Sequence, residues 1–380
     1  MSSDGPTASG ACPIYIYPPL VSIVVLGRGG ERHLRGAIDS AWRQTYPHLQ
    51  VVVVDDGTSE SSRDAIRSYG SAVTPVCCAE GGEAQTVRAG LAACRGDIVL
   101  FLDSRDTLDP HAAKRLMEEW RPGSVKAQFY LRSVSGTGRP LGRRLPNIDF
   151  VADGDVRRCL FLYGYYPSPP TTGSAYTRAF LAEVLSDEAN GWRDCVDGYL
   201  SALAPLHGDV VQIAAEMGSY REHERARARH PSSVGELREG ILREIDRERV
   251  LLAHAATHGI TLTGPLAVNI PAHCKARILS LRLDRATHPV AGDTLPRLLA
   301  LGVRSVWRFP HMRVPKRLVA SAGFLALLVL PRGWLERSLA ALFAVEYRPR
   351  PVDFARAGAE AATAGVRAAA AGMPGPTATA

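Results

Sequence analysis

No Cys-x-x-Cys pair occurs in this 380-residue chain, and its seven cysteines are scattered and odd in number. That pattern excludes a disulfide scaffold or a thiol zinc ribbon and fits a reducing compartment with cysteines used as small apolar residues. Also missing is a basic start followed by an apolar run within residues 1–20, so no signal peptide is read there. The longest mainly apolar run, 318–330, is 13 residues, whereas a membrane-spanning helix needs about 20. Charge is not spread as a nucleic-acid face would require. The formal net charge is +7, and residues 304–350 alone hold nine Arg/Lys against two Asp/Glu. The main body is therefore balanced, and the basic excess suits a local anionic partner. No internal repeat is visible.

What is present is alternation. Val21–Leu26, Val51–Val54 and Ile98–Leu102 are short apolar runs that predict strands buried on both faces. Between them, 31–44, 61–69 and 83–94 carry helical apolar stripes, and a further helix is predicted over 110–120. Strands alternating with helices imply βαβ units and a mainly parallel sheet. Beyond residue 126 the expected elements are strands at 128–134 and 210–213 and helices at 177–185 and 197–206. A long amphipathic helix follows over 233–258, with Ser233 as its cap. Residues 1–19 read as a flexible leader, 259–350 as helical and basic, and 351–380 as a disordered Ala/Gly/Pro/Thr tail.

The central strand ends in Asp103-Ser104-Arg105-Asp106. Carboxylates at the carboxyl end of such a strand face the crevice where open α/β sheets bind ligands. Their hard oxygens suit Mg²⁺ or Mn²⁺ carrying a diphosphate. The plainer reading is a polar strand-to-helix loop with Asp109 capping the next helix. Asp56, before Gly57, reads alternatively as a turn residue, and Asp197 as a helix-start acid. Tyr163, Tyr165, Tyr166 and Trp192 read mainly as packing residues.

The order of several short motifs decides between these readings. Val21-Ser22-Ile23-Val24-Val25, Gln44-Thr45-Tyr46-Pro47, Val51 through Gly57, Gly81-Gly82, Arg95-Gly96-Asp97, Phe101-Leu102-Asp103-Ser104 and Tyr220-Arg221-Glu222-His223 resemble the family 2 glycosyltransferases of the GT-A fold. The resemblance covers roughly residues 20–225. It implies an α/β GT-A domain over 20–232. In the helical region over 233–350, the apolar faces at 318–330 and 335–345 flanked by Arg/Lys point to association with a membrane surface or, alternatively, to a pair of core helices packed on the sheet domain. The resemblance also implies inverting transfer of a sugar from a nucleotide-sugar donor, a UDP-sugar first, to a saccharide or lipid-linked acceptor. No nucleic acid is expected as a partner. The expected location is cytoplasmic, peripheral on the inner face of the cell membrane.

By the same resemblance, Leu26, Arg28 and Asp56 surround the nucleobase, and Asp103 is the first acid of the family's Asp-x-Asp. Arg88 and Arg105 join the donor site. Asp103, Asp106 and His223 are the candidate ligands for Mg²⁺ or Mn²⁺, with metal dependence left open. The general base is expected at Asp197 rather than Asp194, because Asp197 stands 26 residues before His223, as the family's spacing asks. A carboxylate there would take the proton of a poorly nucleophilic sugar hydroxyl. Four positions depart from the family pattern. Leu26-Gly27-Arg28-Gly29 replaces Pro-Thr-Tyr-Asn, Val87-Arg88 replaces Arg-Asn, Arg105 replaces the second acid, and Val196 replaces the Glu before the base. Two alternatives follow: a catalytically weakened, donor-binding scaffold, and a nucleotidyltransferase on a similar sheet.

Overall fold

The computed structural model describes residues 18–27, 31–57, 59–78, 82–146, 152–186, 196–222, 231–260, 266, 269–308 and 314–344. The first half alternates as its apolar pattern dictates. Strand β1 (Val21–Gly27) leads to α1 (Glu31–Trp42), β2 (Leu49–Asp55) to α2 (Glu60–Arg67), and β3 (Thr74–Cys77) to α3 (Gly82–Ala93). Then come β4 (Ile98–Asp103), the two-residue β5 (Thr107–Leu108) and α4 (Ala112–Glu119). Strands β6 (Ser124–Val134) and β7 (Pro140–Leu145) precede α5 (Arg157–Tyr163), β8 (Ser174–Thr177), α6 (Arg178–Val184), α7 (Val196–His207) and β9 (Asp209–Arg221). The C-terminal helices are α8 (Val234–Thr257), α9 (Pro271–Leu283), α10 (Leu295–Arg308), α11 (Val314–Val329), α12 (Arg332–Arg337) and α13 (Leu339–Ala344).

Among the described residues the strands form one nine-stranded sheet in the order β3-β2-β1-β4-β8-β6-β9-β5, with β7 on the side of β6. Strands β3, β2, β1 and β4 run parallel, and β8 enters antiparallel between β4 and β6. Both faces are covered, so every residue of β1 and β4 is buried and alternate side chains serve opposite layers. Ile23, Val25, Leu100 and Leu102 pack on one side with Leu34, Ile38 and Leu116 from α1 and α4. Val24, Leu26, Val99 and Phe101 pack on the other with Val87, Leu181, Leu200 and Leu251 from α3, α6, α7 and α8. Glycine has positional reasons here. A Cβ on Gly90 would lie 2.6 Å from Val24, and one on Gly96 2.6 Å from the Ser22 nitrogen, so α3 and the turn into β4 can approach β1 closely.

The C-terminal helices build a second core from Leu237, Ile241, Ile278, Leu279, Leu298, Phe324 and Leu335. Helix α8 belongs to both, because Val250, Leu251 and Ala255 face the sheet domain. Its start is capped as the sequence predicts: Ser233 Oγ accepts the Glu236 N–H at 3.2 Å. Three expectations change. Helix α4 begins at Ala112 after His111, and Asp109 instead takes the Arg132 guanidinium. Strand β9 runs on to Arg221 rather than stopping at Ile213, and β8 is a strand that the sequence pattern does not announce, its last residue Thr177 capping α6 where a helix is expected. No helix among the described residues is long and apolar enough to cross a membrane.

Candidate active site

Strand order reverses around β1, with β2 on one side and β4 on the other. Crevices at such switch points, outside the carboxyl ends of the strands, are where open α/β sheets take ligands. The register gathers the predicted donor residues there. Leu26 pairs with Asp103 across β1 and β4, and Gly27 pairs with Asp55 across β1 and β2. Asp56 follows directly, and Gly57 takes φ +74°, the turn conformation that glycine adopts without strain. The Ser104 N–H donates to the Leu26 carbonyl at 3.1 Å, which stitches the two strand ends together.

Asp103 is mostly buried, and its carboxylate is clasped. Arg105 donates Nε to Oδ1 and Nη2 to Oδ2, both at 2.8 Å, and adds its backbone N–H to Oδ1 at 3.0 Å. This planar fork is the strong form of a guanidinium–carboxylate pair. It raises the Arg105 pKa, chiefly through that hydrogen bond. Asp106 turns inward. Its Oδ2 accepts the Thr172 hydroxyl at 2.6 Å, and its Oδ1 accepts the Arg221 N–H at 2.8 Å. Burial first, and then the neighbouring Asp103 charge, push its pKa above the carboxylate range. A divalent cation needs several accessible oxygens. At this strand end both carboxylates have both oxygens engaged, so the described residues do not form such a site as they stand.

Other basic side chains stand close. His33, in the first turn of α1, has a lowered pKa, from partial burial first and then from Arg221, Arg32 and Arg105. Arg221 donates Nε to the Arg105 carbonyl at 3.1 Å and Nη1 to the carbonyls of Ser135 and Gly136. The sequence marks Arg221 only as part of the Tyr-Arg-x-His motif. Its position at the end of β9, fixing both Arg105 and Asp106, was not legible there. Glu222 beside it is buried and paired with Arg143. Arg88 lies elsewhere: its Nε donates to the Leu185 carbonyl at the end of α6, at 2.9 Å. Arg28, His223, Asp194 and Trp192 lie outside the described residues.

Asp197 opens α7, and its Oδ1 accepts the Gly198 N–H at 2.8 Å. Beneath it is a group that the sequence reading missed. Lys126, fully buried in β6, donates Nζ to the hydroxyls of Ser168 at 2.7 Å, Ser201 at 3.1 Å and Tyr166 at 3.2 Å. Its ammonium also stands 5.1 Å and 5.6 Å from the ring centroids of Tyr166 and Tyr176. Burial lowers the Lys126 pKa to about 7, and the Asp197 charge acts against that fall. Tyr166 is held inside by this network, as expected of a packing residue, whereas Tyr163 and Tyr165 pack against the C-terminal core.

Gln44-Thr45-Tyr46-Pro47 proves to be a staple. Gln44 donates to the Asp109 carbonyl at 2.8 Å and accepts the Ala113 N–H at 2.9 Å. Thr45 meets His111 at 2.9 Å, and Tyr46 donates to the Pro19 carbonyl at 2.7 Å.

Residues 21–182 match the family model described as Glycosyl transferase family 2. An uncharacterized glycosyltransferase of Nostoc sp. (strain PCC 7120) is 26% identical over 208 residues, which are 53% of this chain and 65% of that protein. The chain thus spans just under two thirds of that relative's length. A crystal structure of S. aureus TarS 1–349 in complex with UDP-GlcNAc superposes with a TM-score of 0.47 at 16% identity, covering 84% of this chain and 91% of that one. The mannosyltransferase PcManGT from Pyrobaculum calidifontis, in complex with GDP-Man and Mn²⁺, gives a TM-score of 0.43 at 17% identity, covering 87% and 86%. The parallel β3-β2-β1-β4 half-sheet and the acid at the end of β4 lie within the span, residues 21–182, that is similar to the family 2 glycosyltransferases.

Proposed function

We propose that this chain transfers a sugar, with inversion, from a nucleotide-sugar donor to a saccharide or lipid-linked acceptor, with Asp197 as general base. The observation that carries the reading is the register that sets Leu26, Asp55 and Asp103 side by side at the switch point. In the step, an acceptor hydroxyl oxygen attacks the anomeric carbon. The bond from that carbon to the diphosphate oxygen breaks, and its electron pair leaves with the nucleoside diphosphate. The hydroxyl proton passes to the Asp197 carboxylate, whose Oδ1 is oriented by the Gly198 N–H.

The leaving diphosphate needs positive charge. Arg105 stands where the family carries a second acid, Arg221 holds its carbonyl, and Arg221, Arg32 and Arg105 all act on the neighbouring His33. This basic cluster supports a diphosphate site that depends on Mg²⁺ or Mn²⁺ less than the family pattern implies. On this reading Arg105 turns its fork from Asp103 to phosphate oxygens when donor binds. UDP is the first nucleotide to test. Its affinity is titrated with EDTA and with Mn²⁺, in wild type and Arg105→Asp. Wild type is expected to keep most of its affinity in EDTA, and Arg105→Asp to lose at least about tenfold. Complete loss in EDTA for wild type, with tight Mn²⁺-dependent binding by Arg105→Asp, would make Arg105 a bystander.

A second reading has one observation in its favour. The same Arg105 clasp occupies Asp103, which suits a donor-binding scaffold with weakened catalysis. Transfer and donor hydrolysis by purified protein separate the two, since a scaffold binds UDP-sugar without turnover.

The membrane association rests on α11. Leu318, Val319 and Val329 are 56%, 73% and 80% exposed on a helix that begins with Lys316 and Arg317. Each basic group near an anionic leaflet contributes about 1 kcal/mol. Co-sedimentation with phosphatidylserine vesicles at low salt is the expected outcome, weakening with phosphatidylcholine alone. Absence of binding to the anionic vesicles ends this part of the proposal.

A further inference from the structure

Three helices of this protein end at one place. Glu183 lies in the last turn of α6, His207 is the final residue of α7, His254 is in the last turn of α8, and His258 caps α8. One ligand atom from each of the four lies within 4.8 Å of all the others. His207 Nε2 and His254 Nε2 are 2.6 Å apart. Glu183 reaches His207 Nδ1 with Oε2 and His258 Nε2 with Oε1, each at 3.5 Å. The three imidazole centroids are 4.6 to 4.9 Å apart.

The four groups turn several lone pairs toward one another. His258 Nδ1 faces the His254 carbonyl at 3.0 Å, and a carbonyl only accepts. Nδ1 therefore carries the proton of the neutral ring, and Nε2 presents its lone pair to the Glu183 carboxylate, which is also an acceptor. Two imidazole nitrogens at hydrogen-bond distance share one proton. The negative ends of three helices meet here as well, which favours a cation.

We propose that Glu183, His207, His254 and His258 form a Zn²⁺ site that fastens α8 to α6 and α7. Three neutral imidazoles and one carboxylate are a closed tetrahedral donor set of the structural kind. His254 and His258, four apart on one helix face, supply two ligands from α8. The other two come from the sheet domain. The site is separate from the candidate base, because His207 and Asp197 occupy opposite ends of α7, about 15 Å apart along the helix axis.

The test uses the full chain without a histidine tag. Metal content after purification, and titration of metal-free protein with Co²⁺ and Zn²⁺, give the stoichiometry. One Co²⁺ per chain with the intense visible absorption of tetrahedral cobalt, displaced by Zn²⁺, is expected. Zn²⁺ should raise the melting temperature of metal-free protein. His258→Ala, at an exposed cap, should keep the circular dichroism of wild type and bind at least about 100-fold more weakly. Glu183→Gln, also exposed, should lose at least about tenfold. Wild type without tetrahedral cobalt absorption would overturn the proposal, as would equal Zn²⁺ affinity in wild type and both variants.

Discussion

The two ends of α7 make opposite use of polar side chains. At its start, Asp197 and Ser201 stand over a fully buried Lys126 whose every recorded partner is a hydroxyl. At its finish, His207 meets two more imidazoles and a carboxylate, all of them lone-pair donors. Hydroxyls can accept from an ammonium and also turn to donate, so the first cluster satisfies itself with protons alone. Three imidazoles and a carboxylate crowd lone pairs together, which suits a cation from outside. One helix therefore separates a proton-handling end, at the candidate base, from a metal-binding end at the attachment of the C-terminal helices.

The largest effect expected from breaking this contrast lies at Lys126. Its folded pKa is depressed to about 7 from 10.5. An unfolded chain therefore holds a proton that the fold releases between those values. Stability from this group is complete above pH 10.5 and is lost as pH falls through about 7. Denaturant unfolding of wild type from pH 7 to 10 should rise by a few kcal/mol, on the order of 4 at most, and Lys126→Met should flatten the rise. An unchanged slope in Lys126→Met would assign the effect to other groups.

Next in size is Asp197→Asn, which keeps the shape and removes the proton acceptor. Transfer should fall by about 10²-fold or more while donor affinity changes little. Near-normal turnover would take the base from Asp197 and make Asp194 the residue to examine. Because the metal cluster is at the far end of α7, the same variant should leave cobalt binding unaltered, which checks that the two ends act separately.

The smallest effect belongs to Ser201, the hydroxyl between Lys126 and Ser168. Ser201→Ala removes one partner of a buried ammonium and should cost about 1–3 kcal/mol in urea unfolding. A neutral result would mean that Ser168 and Tyr166 suffice.

The sequence reading succeeded where burial is continuous along the chain. Ile98–Asp103 and Val21–Gly27 are buried on both faces, so their apolar runs announce them. It failed where local pattern and tertiary role part. Ser174-Ala-Tyr-Thr has no apolar run, and β8 becomes a strand through its neighbours β4 and β6. Strand β9 continues past Ile213 through irregular pairing with β6, which breaks the alternation that would reveal it. Asp103 was legible as an acid ending a buried strand. Its clasp by Arg105 was not, since the same Arg could equally have faced phosphate. Lys126 gives no local signal, because its partners Tyr166, Ser168 and Ser201 are 40 to 75 residues away. The His254-x-x-x-His258 spacing was visible, but Glu183 and His207 join it only through helix packing.

The Gln44 staple has a consequence for motion. Gln44 holds both the Asp109 carbonyl and the Ala113 N–H, and Ser40 holds the Leu108 N–H at 3.1 Å. The carboxyl end of α1 is thereby bolted to the segment that leaves the Asp103 loop, while the first turn of α1 carries His33 toward Arg105 and Arg221. Such a lever has little freedom to bend, since its far end is anchored by three hydrogen bonds. In hydrogen-exchange terms, α1, β5 and the start of α4 should open together as one cooperative unit rather than fray separately. A donor entering the crevice would then meet a floor that is already set, and whatever closes over it must come from the other rim.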